Sequence, residues 1–508
     1  MLISRRFDDV SQILSCRETL LSSLSKRSSL RDIVNISPAD SRLVEVHTSR
    51  LSSSLNRTHG ALQESLTSAT YLTSLIEPCQ ALGVNIEAAA NLEAANALWD
   101  QGEMASSIGI LRTLEKSSNL KKQAIPIGRS DLLAKLGYQV SVARLEKPDL
   151  IIDKYLLPAL KELKGKSTGS DAGQVFHEFA VFCDQQLQDV DSQTDLERLK
   201  RLKEMKESEV RDLARMAKAA VSSEQKAKYH NAWTKAKQWL QLDSEEYRRL
   251  SSSKDELLHQ SVENYLLSLI ASDNHSNDTL RFSALWLEHS EEPTVNDAVA
   301  KRLSSVPTRK FASLMNQLTS RLLNNITKFQ QLLFSLVLNI CIDHPYHGMY
   351  QIYAGCKGRN NTKDETAMSR YAATTKVGQQ LGNNQKSAKV WLAISNTNKY
   401  YCQLATERND GFKAGHKVFL KDSSAGSALN QAISRHLLPP PTLQIEVSAN
   451  LDYSRVPFMQ RLDPQFSIAS GVSAPKVITA IATDGSKYKQ LVRNLSRVSK
   501  VSFELTCY

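Results

Sequence analysis

Residues 174–347 contain no glycine and only three prolines, Pro293, Pro307 and Pro345. Sheets built from tight hairpins need glycine or Asn-Gly punctuation about every 8 to 12 residues, whereas helices joined by polar loops do not. The stretch therefore reads as all-helical. Within it, Leu196, Leu199, Leu202, Met205, Val210, Leu213, Met216 and Ala220 recur at helical spacing. Glu197 with Arg201 and Glu207 with Arg211 form i,i+4 pairs on the other side. This pattern predicts a helix with one buried face and one solvated, charged face. Trp233, Trp239, Trp286 and Tyr265 fall in amphipathic stretches, which predicts core packing rather than a platform for stacking bases.

Upstream, Leu92, Ala95, Leu98 and Trp99 make one apolar stripe, Gly102 interrupts it, and Ala105, Ile108, Leu111 and Leu114 make the next. Small alanines beside Leu and Trp, with glycine at the turn, predict a tetratricopeptide-like helical hairpin. Segments 132–146 and 150–163 form a second pair broken at Lys147 and Pro148. The spacing is irregular, so the expected architecture is a divergent solenoid. Loops are expected in the Ser-rich segment 22–41 and at 165–173, 272–279 and 357–366. The helical pattern stops at Pro439, Pro440 and Pro441. Residues 442–448 then alternate strictly, with Leu443, Ile445 and Val447 on one side, which predicts a half-buried strand. Residues 477–483 and 488–492 flank Asp484-Gly485, a strong hairpin signal.

Composition narrows the function classes. The longest apolar run, 332–342, is far short of the ~20 residues that a spanning helix needs. Seven cysteines without a C-x-x-C pair, behind an N-terminus lacking a signal-peptide core, point to a reducing compartment. The net charge of +11 is spread over 508 residues and forms no focused basic stripe. Gly165-Lys166-Ser167 ends like a phosphate-binding loop, but the motif's first glycine would fall at Leu160 inside a helix. His344 and His347 have metal-like spacing, yet Pro345 interrupts the helix that would align them. There is no nucleophile elbow, zinc-type cysteine spacing or dinucleotide fingerprint.

Several stretches, taken in order, resemble one family. FHEFAVFCDQQLQD (176–189), VENYLLSLI (262–270), RFSALWLEHS (281–290), KRLSSVPTRKFASLMNQLTSRL (301–322) and ICIDHPYHGMYQIYA (340–354) look like landmarks of the FAT domain. That domain belongs to phosphatidylinositol-3-kinase-related protein kinases of the ATM, telomere-maintenance checkpoint type. PTLQIEV (441–447), SGVSAPKVI (470–478) and TDGSKYKQLV (483–492) are similar to the opening strands of the family's kinase N-lobe.

The resemblance implies a mainly α fold, an irregular TPR-like solenoid of the FAT type, followed by a small β-rich partial kinase N-lobe. The implied organisation is a helical segment over 1–85, a FAT domain over 86–356, a helical linker over 357–438, a partial N-lobe over 439–493 and a non-family tail over 494–508. It further implies an ATP- and Mg-dependent serine/threonine protein kinase acting in the nucleus on DNA damage and at telomeres. Expected partners are proteins held by the solenoid, a second copy in a homodimer, and a DNA-end adaptor complex, with no membrane. Ser470, Gly471, Val472, Ser473, Ala474 and Pro475 align with the short loop that covers the phosphates. Arg493 aligns with the phosphate-contacting lysine, a forked guanidinium replacing a compact ammonium. Beyond Arg493 the family's acidic pair and following helix start are missing, so no catalytic residue is assigned. The expectation is an inactive fragment, or a gene read through an intron from about Arg493. From a different class, a free-standing helical-repeat scaffold binding a protein partner fits the helical part equally well. Only the β-rich end separates the two.

Overall fold

The computed structural model describes residues 2–117, 120–357, 364–407, 413–470 and 474–493. They fall into two compact units, divided between Asp278 and Thr279.

The first unit is built from antiparallel helix pairs. Glu87–Asp100 packs on Met104–Lys116. Gly102, at φ +89°, donates to Trp99 O at 2.9 Å while Glu103 N donates to Leu98 O at 2.9 Å. This pair of bonds satisfies the last carbonyls of the helix, and the left-handed φ explains the glycine. The hairpin contributes Leu92, Ala95 and Leu111 to a core shared with Leu132, Leu136, Phe179 and Phe182. Pro158 would clash with the carbonyl four residues back, and the chain answers with a π-helical turn, Ile152–Leu156, just before it.

Ser170–Leu187 packs on the end of a 49-residue helix, Ser223–Ala271, whose first half forms a hairpin with Val190–Ala219. On that hairpin only a narrow seam is covered. Leu196, Leu199, Leu202 and Leu213 are half-buried, but Met205 and Met216 are exposed. A pair of helices without a third neighbour covers one stripe, not a broad face. Trp286 and Tyr265 are buried as expected, whereas Trp239 is not. The Ser-rich segment 22–41 is also a correction. It is mostly helical, broken near Arg27 and again at Asn35, with Ser37 capping Pro38–Thr58 by accepting from Asp40 N at 3.1 Å.

In the second unit, helices surround Trp286, Phe282 and Phe311, and five antiparallel strands follow among the described residues. They are β1 (Lys417–Phe419), β2 (Met459–Leu462), β3 (Gln465–Ile468), β4 (Lys476–Ala482) and β5 (Lys487–Val492). β4 is the hub. β5 lies along one edge, while β2 and β3 run end to end along the other. The Asp484-Gly485 hairpin forms as read, with Gly485 at φ +83°. Residues 442–448 are not a strand. Leu443, Ile445 and Val447 are more covered than Gln444 and Glu446, so the alternation is present. Side chains take the place of a ladder partner: His347 Nε2 donates to Ile445 O at 3.0 Å, and Ser448 N donates to the Tyr453 hydroxyl at 3.3 Å.

Two histidines tie helices together by opposite electrostatics. In the first unit His177 Nδ1 bonds the buried Asp278 carboxylate at 2.8 Å, and Ser268 Oγ donates to the same carboxylate at 2.6 Å. Burial opposes charging His177, but Asp278 outweighs it and raises the imidazole above its ordinary 6.5. In the second unit Thr308 donates to Asp343 at 2.8 Å, so His344 Nε2 donates to the Thr308 oxygen at 3.2 Å. His344 Nδ1 then accepts from the Tyr453 hydroxyl at 2.7 Å. Burial holds this neutral ring below its ordinary 6.5.

Two outcomes follow from this packing. His177 stabilises its unit fully below pH 6.5 and loses that contribution as pH rises through its raised value. His344 does the reverse, its contribution being present above pH 6.5 and lost as pH falls through its lowered value. Imidazole resonances titrated by NMR should place His177 above and His344 below 6.5, and the opposite order would contradict the two networks. Trp286 is fully buried and donates to Asn296 Oδ1 at 3.1 Å. Trp286→Ala should cost the second unit about 3–5 kcal/mol in urea denaturation.

Candidate nucleotide-binding site

The loop joining β3 to β4 and the residue after β5 meet at one end of the sheet because both strands pair with the start of β4. Ile468 lies opposite Lys476, and Lys476 lies opposite Val492. The chain on either side, Ala469 to Ser470 and Arg493, therefore emerges at the same end. Ala469 N donates to Pro475 O at 2.7 Å and closes the base of the loop. Ala474 sits at φ +42°, a left-handed conformation that a residue with a Cβ adopts at a cost, and one that recurs at ligand-binding turns. Ser470 is exposed, Pro475 is buried and Arg493 is half-buried. Gly471, Val472 and Ser473 lie outside the described residues.

The group that positions this end of the sheet is Lys476, which the sequence reading passed over. Its side chain is 2% exposed, and Nζ donates to Glu407 O at 2.7 Å and to Ala405 O at 3.3 Å. These carbonyls lie at the C-terminal end of the helix Ala388–Thr406, where backbone acceptors lack intrahelical donors. A cation there also meets the negative end of the helix dipole. Burial lowers the ammonium below its ordinary value, and the Glu407 charge partly restores it. The signal was present in the sequence. Period-2 alternation along KVITAIA places Lys476 on the same face as Ile478, Ala480 and Ala482, all buried. Nearby, the buried Tyr401 hydroxyl donates to Gln490 Oε1 at 2.6 Å, and Gln490 Nε2 contacts Met459 Sδ at 3.5 Å. The same helix is thus bonded to β4 and to β5.

The other chemical candidates dissolve in the structure. The rings of His344 and His347 are 6.2 Å apart and nearly perpendicular, each engaged by the bonds given above. Gly165-Lys166-Ser167 follows a helix, Leu157–Glu162, and not a strand. Among the described residues no group of three or more His, Cys, Asp or Glu side chains is arranged to hold a metal. Among the described residues, Ser470, Ala474, Pro475 and Arg493 lie at one end of the sheet.

The FAT domain family matches residues 2–284. Serine/threonine-protein kinase TEL1 of Gibberella zeae is 52% identical over 488 residues, 96% of this chain and 17% of that protein. The serine-protein kinase ATM of Sus scrofa is 25% identical over 79% of the chain. The open conformation of CtTel1 is similar with a TM-score of 0.84 and 54% identity, covering 96% of this chain and 18% of that one. The FAT and kinase domain of CtTel1 is similar with a TM-score of 0.82 and 53% identity, covering 95% of this chain and 33% of that one. The chain thus spans about one sixth of the length of its curated relatives. A FAT match over more than half of the residues, together with near-complete coverage by Tel1 sequences and structures, means that the chain belongs to the FAT-domain family, in the Tel1/ATM branch of the phosphatidylinositol-3-kinase-related protein kinases.

Proposed function

We propose that the chain is the helical scaffold and the opening strands of an ATM-type serine/threonine protein kinase that acts in the nucleus on DNA damage and telomere ends. The observation that carries this reading is the convergence of the β3–β4 loop and Arg493 at one end of a sheet bonded to the helix Ala388–Thr406. A solenoid that served only as a protein-binding surface has no use for that sheet. In the proposed assembly the loop amides and the Arg493 guanidinium face the triphosphate of ATP, where forked N–H donors suit phosphate oxygens. Mg2+ ligands and the group that orients the attacking hydroxyl must come from residues other than those described, because phosphoryl transfer needs both. Similarity to a CtTel1 dimer with twofold symmetry, at a TM-score of 0.83, supports homodimerisation of the kinase that carries this scaffold. A DNA-end adaptor complex as partner rests on the family alone.

The reading makes a divided prediction. The 508-residue chain incubated with ATP, Mg2+ and a Ser-Gln peptide should transfer no phosphate above background. The same scaffold joined to a complete Tel1-type kinase lobe should phosphorylate the peptide. Transfer by the 508-residue chain alone would refute the assignment of catalytic groups to other residues. Inactivity of the joined protein, with both parts folded, would favour the scaffold reading.

A further inference from the structure

In two successive helix pairs of the first unit, the second helix lies on both helices of the pair that follows. Pro38–Thr58 packs on Leu62–Ser74, where Ser49 Oγ donates to Ser68 O at 3.1 Å, and on Glu87–Asp100, where Arg57 pairs with Glu93 at 2.6 Å. Glu87–Asp100 in turn packs on Met104–Lys116 and meets Arg129–Val142, the Trp99 and Tyr138 rings standing 6.2 Å apart. The floor that receives each crossing helix is buried. Leu72, Ala89 and Ala90 lie beside the first, Leu111 and Leu132 beside the second.

The pair Leu2–Lys26 and Pro38–Thr58 has such a floor with nothing on it. Between the two helices runs a groove of about 710 Å³, lined chiefly by Ile13, Cys16, Arg17, Leu20, Leu21 and Val44. Ile13 is 65% exposed and Leu20 70%. Seven residues apart, they line up along one helix, as the exposed Val44 and Leu51 do along the other. At ~100° per residue, Val44 lies about 160° around its helix from Val46, whose core also holds Leu72. The groove is therefore on the side away from the next pair. A terminal repeat of a solenoid keeps a polar outer face, whereas an apolar one belongs to a repeat with neighbours on both sides.

We propose that this groove seats an amphipathic helix of one further repeat of the same solenoid, the second helix of a preceding pair, packed as Pro38–Thr58 packs on Leu62–Ser74 and Glu87–Asp100. The crossing already occurs twice in this unit, and a third instance places a helix between Leu2–Lys26 and Pro38–Thr58. The chain spans 17% of the length of its Tel1 relatives, which leaves ample sequence to supply the pair. Asp9 and Arg17 put one charge of each sign on the groove, so its surface selects neither a strongly acidic nor a strongly basic partner. This contact concerns the scaffold alone and stands whether or not the nucleotide reading holds.

Cys16 lies in the groove and is the probe, since the other cysteines among the described residues are buried or half-buried. Its alkylation by N-ethylmaleimide is timed by mass spectrometry in the 508-residue chain and in a full-length Tel1-type protein that carries these residues. Cys16 should react at least about tenfold more slowly in the longer protein. Ile13→Asp together with Leu20→Asp should restore fast labelling there and leave the urea midpoint of the 508-residue chain unchanged, because both side chains are exposed in it. A cysteine–lysine cross-linker on Cys16 of the longer protein should join it to a peptide outside residues 1–508. Equal labelling rates in the two proteins overturn the proposal, and so does slow labelling that survives the double variant. A 508-residue chain that sediments as a dimer with Cys16 protected, or cross-links only to peptides within residues 1–508, would make a second copy the occupant and overturn it too.

Discussion

A buried ammonium must be surrounded by acceptors, and Lys476 finds two of them at the end of a helix. Its two carbonyls, Ala405 and Glu407, are among those that a helix cannot satisfy internally. The requirement is mutual: the lysine needs the helix end in order to be buried, and the helix end needs a donor. Once that pairing is made, β4 is fixed against Ala388–Thr406, and β3 and β5 follow because both pair with β4. The loop and Arg493 then have only one place to emerge. Tyr401 and Gln490 add a second fastening on the same helix, so the sheet is held at two points along it.

The helical parts rest on a different logic. In the first unit, small residues and a left-handed glycine allow helix pairs to close on a shared core, and a π-turn absorbs Pro158 without ending the run. Where a third layer is missing, as on the hairpin of Val190–Ala219, the apolar pattern overstates burial. Met205, Met216 and Trp239 remain in water. The contrast separates side chains that hold the scaffold together from those left available for contact.

Much of the fold was legible in the sequence because the signals were local. The absence of glycine from 174–347 announced helices, Gly102 announced a turn, and Asp484-Gly485 announced a hairpin. The errors lie where partners are distant. Residues 442–448 have the alternation of a strand, but their backbone is met by His347 and Tyr453, which no local pattern reveals. Strands β1, β2 and β3 are three or four residues long, too short for periodicity to register. The candidate site was found through resemblance, whereas its anchor was missed because a lysine within an apolar strand looks like an edge residue until the helix end opposite it is seen.

The central claim is that Lys476 holds the sheet, and with it the loop and Arg493, on the helix Ala388–Thr406. Amide hydrogen exchange of Lys476→Met beside the parent tests this most directly, since methionine keeps the bulk and removes the donors. The account predicts that amides of the last turn of that helix and of β4 exchange together at least about fivefold faster, with the hairpin at Gly102 unchanged. Unaltered protection across Tyr401, Ala405 and β4 would contradict it.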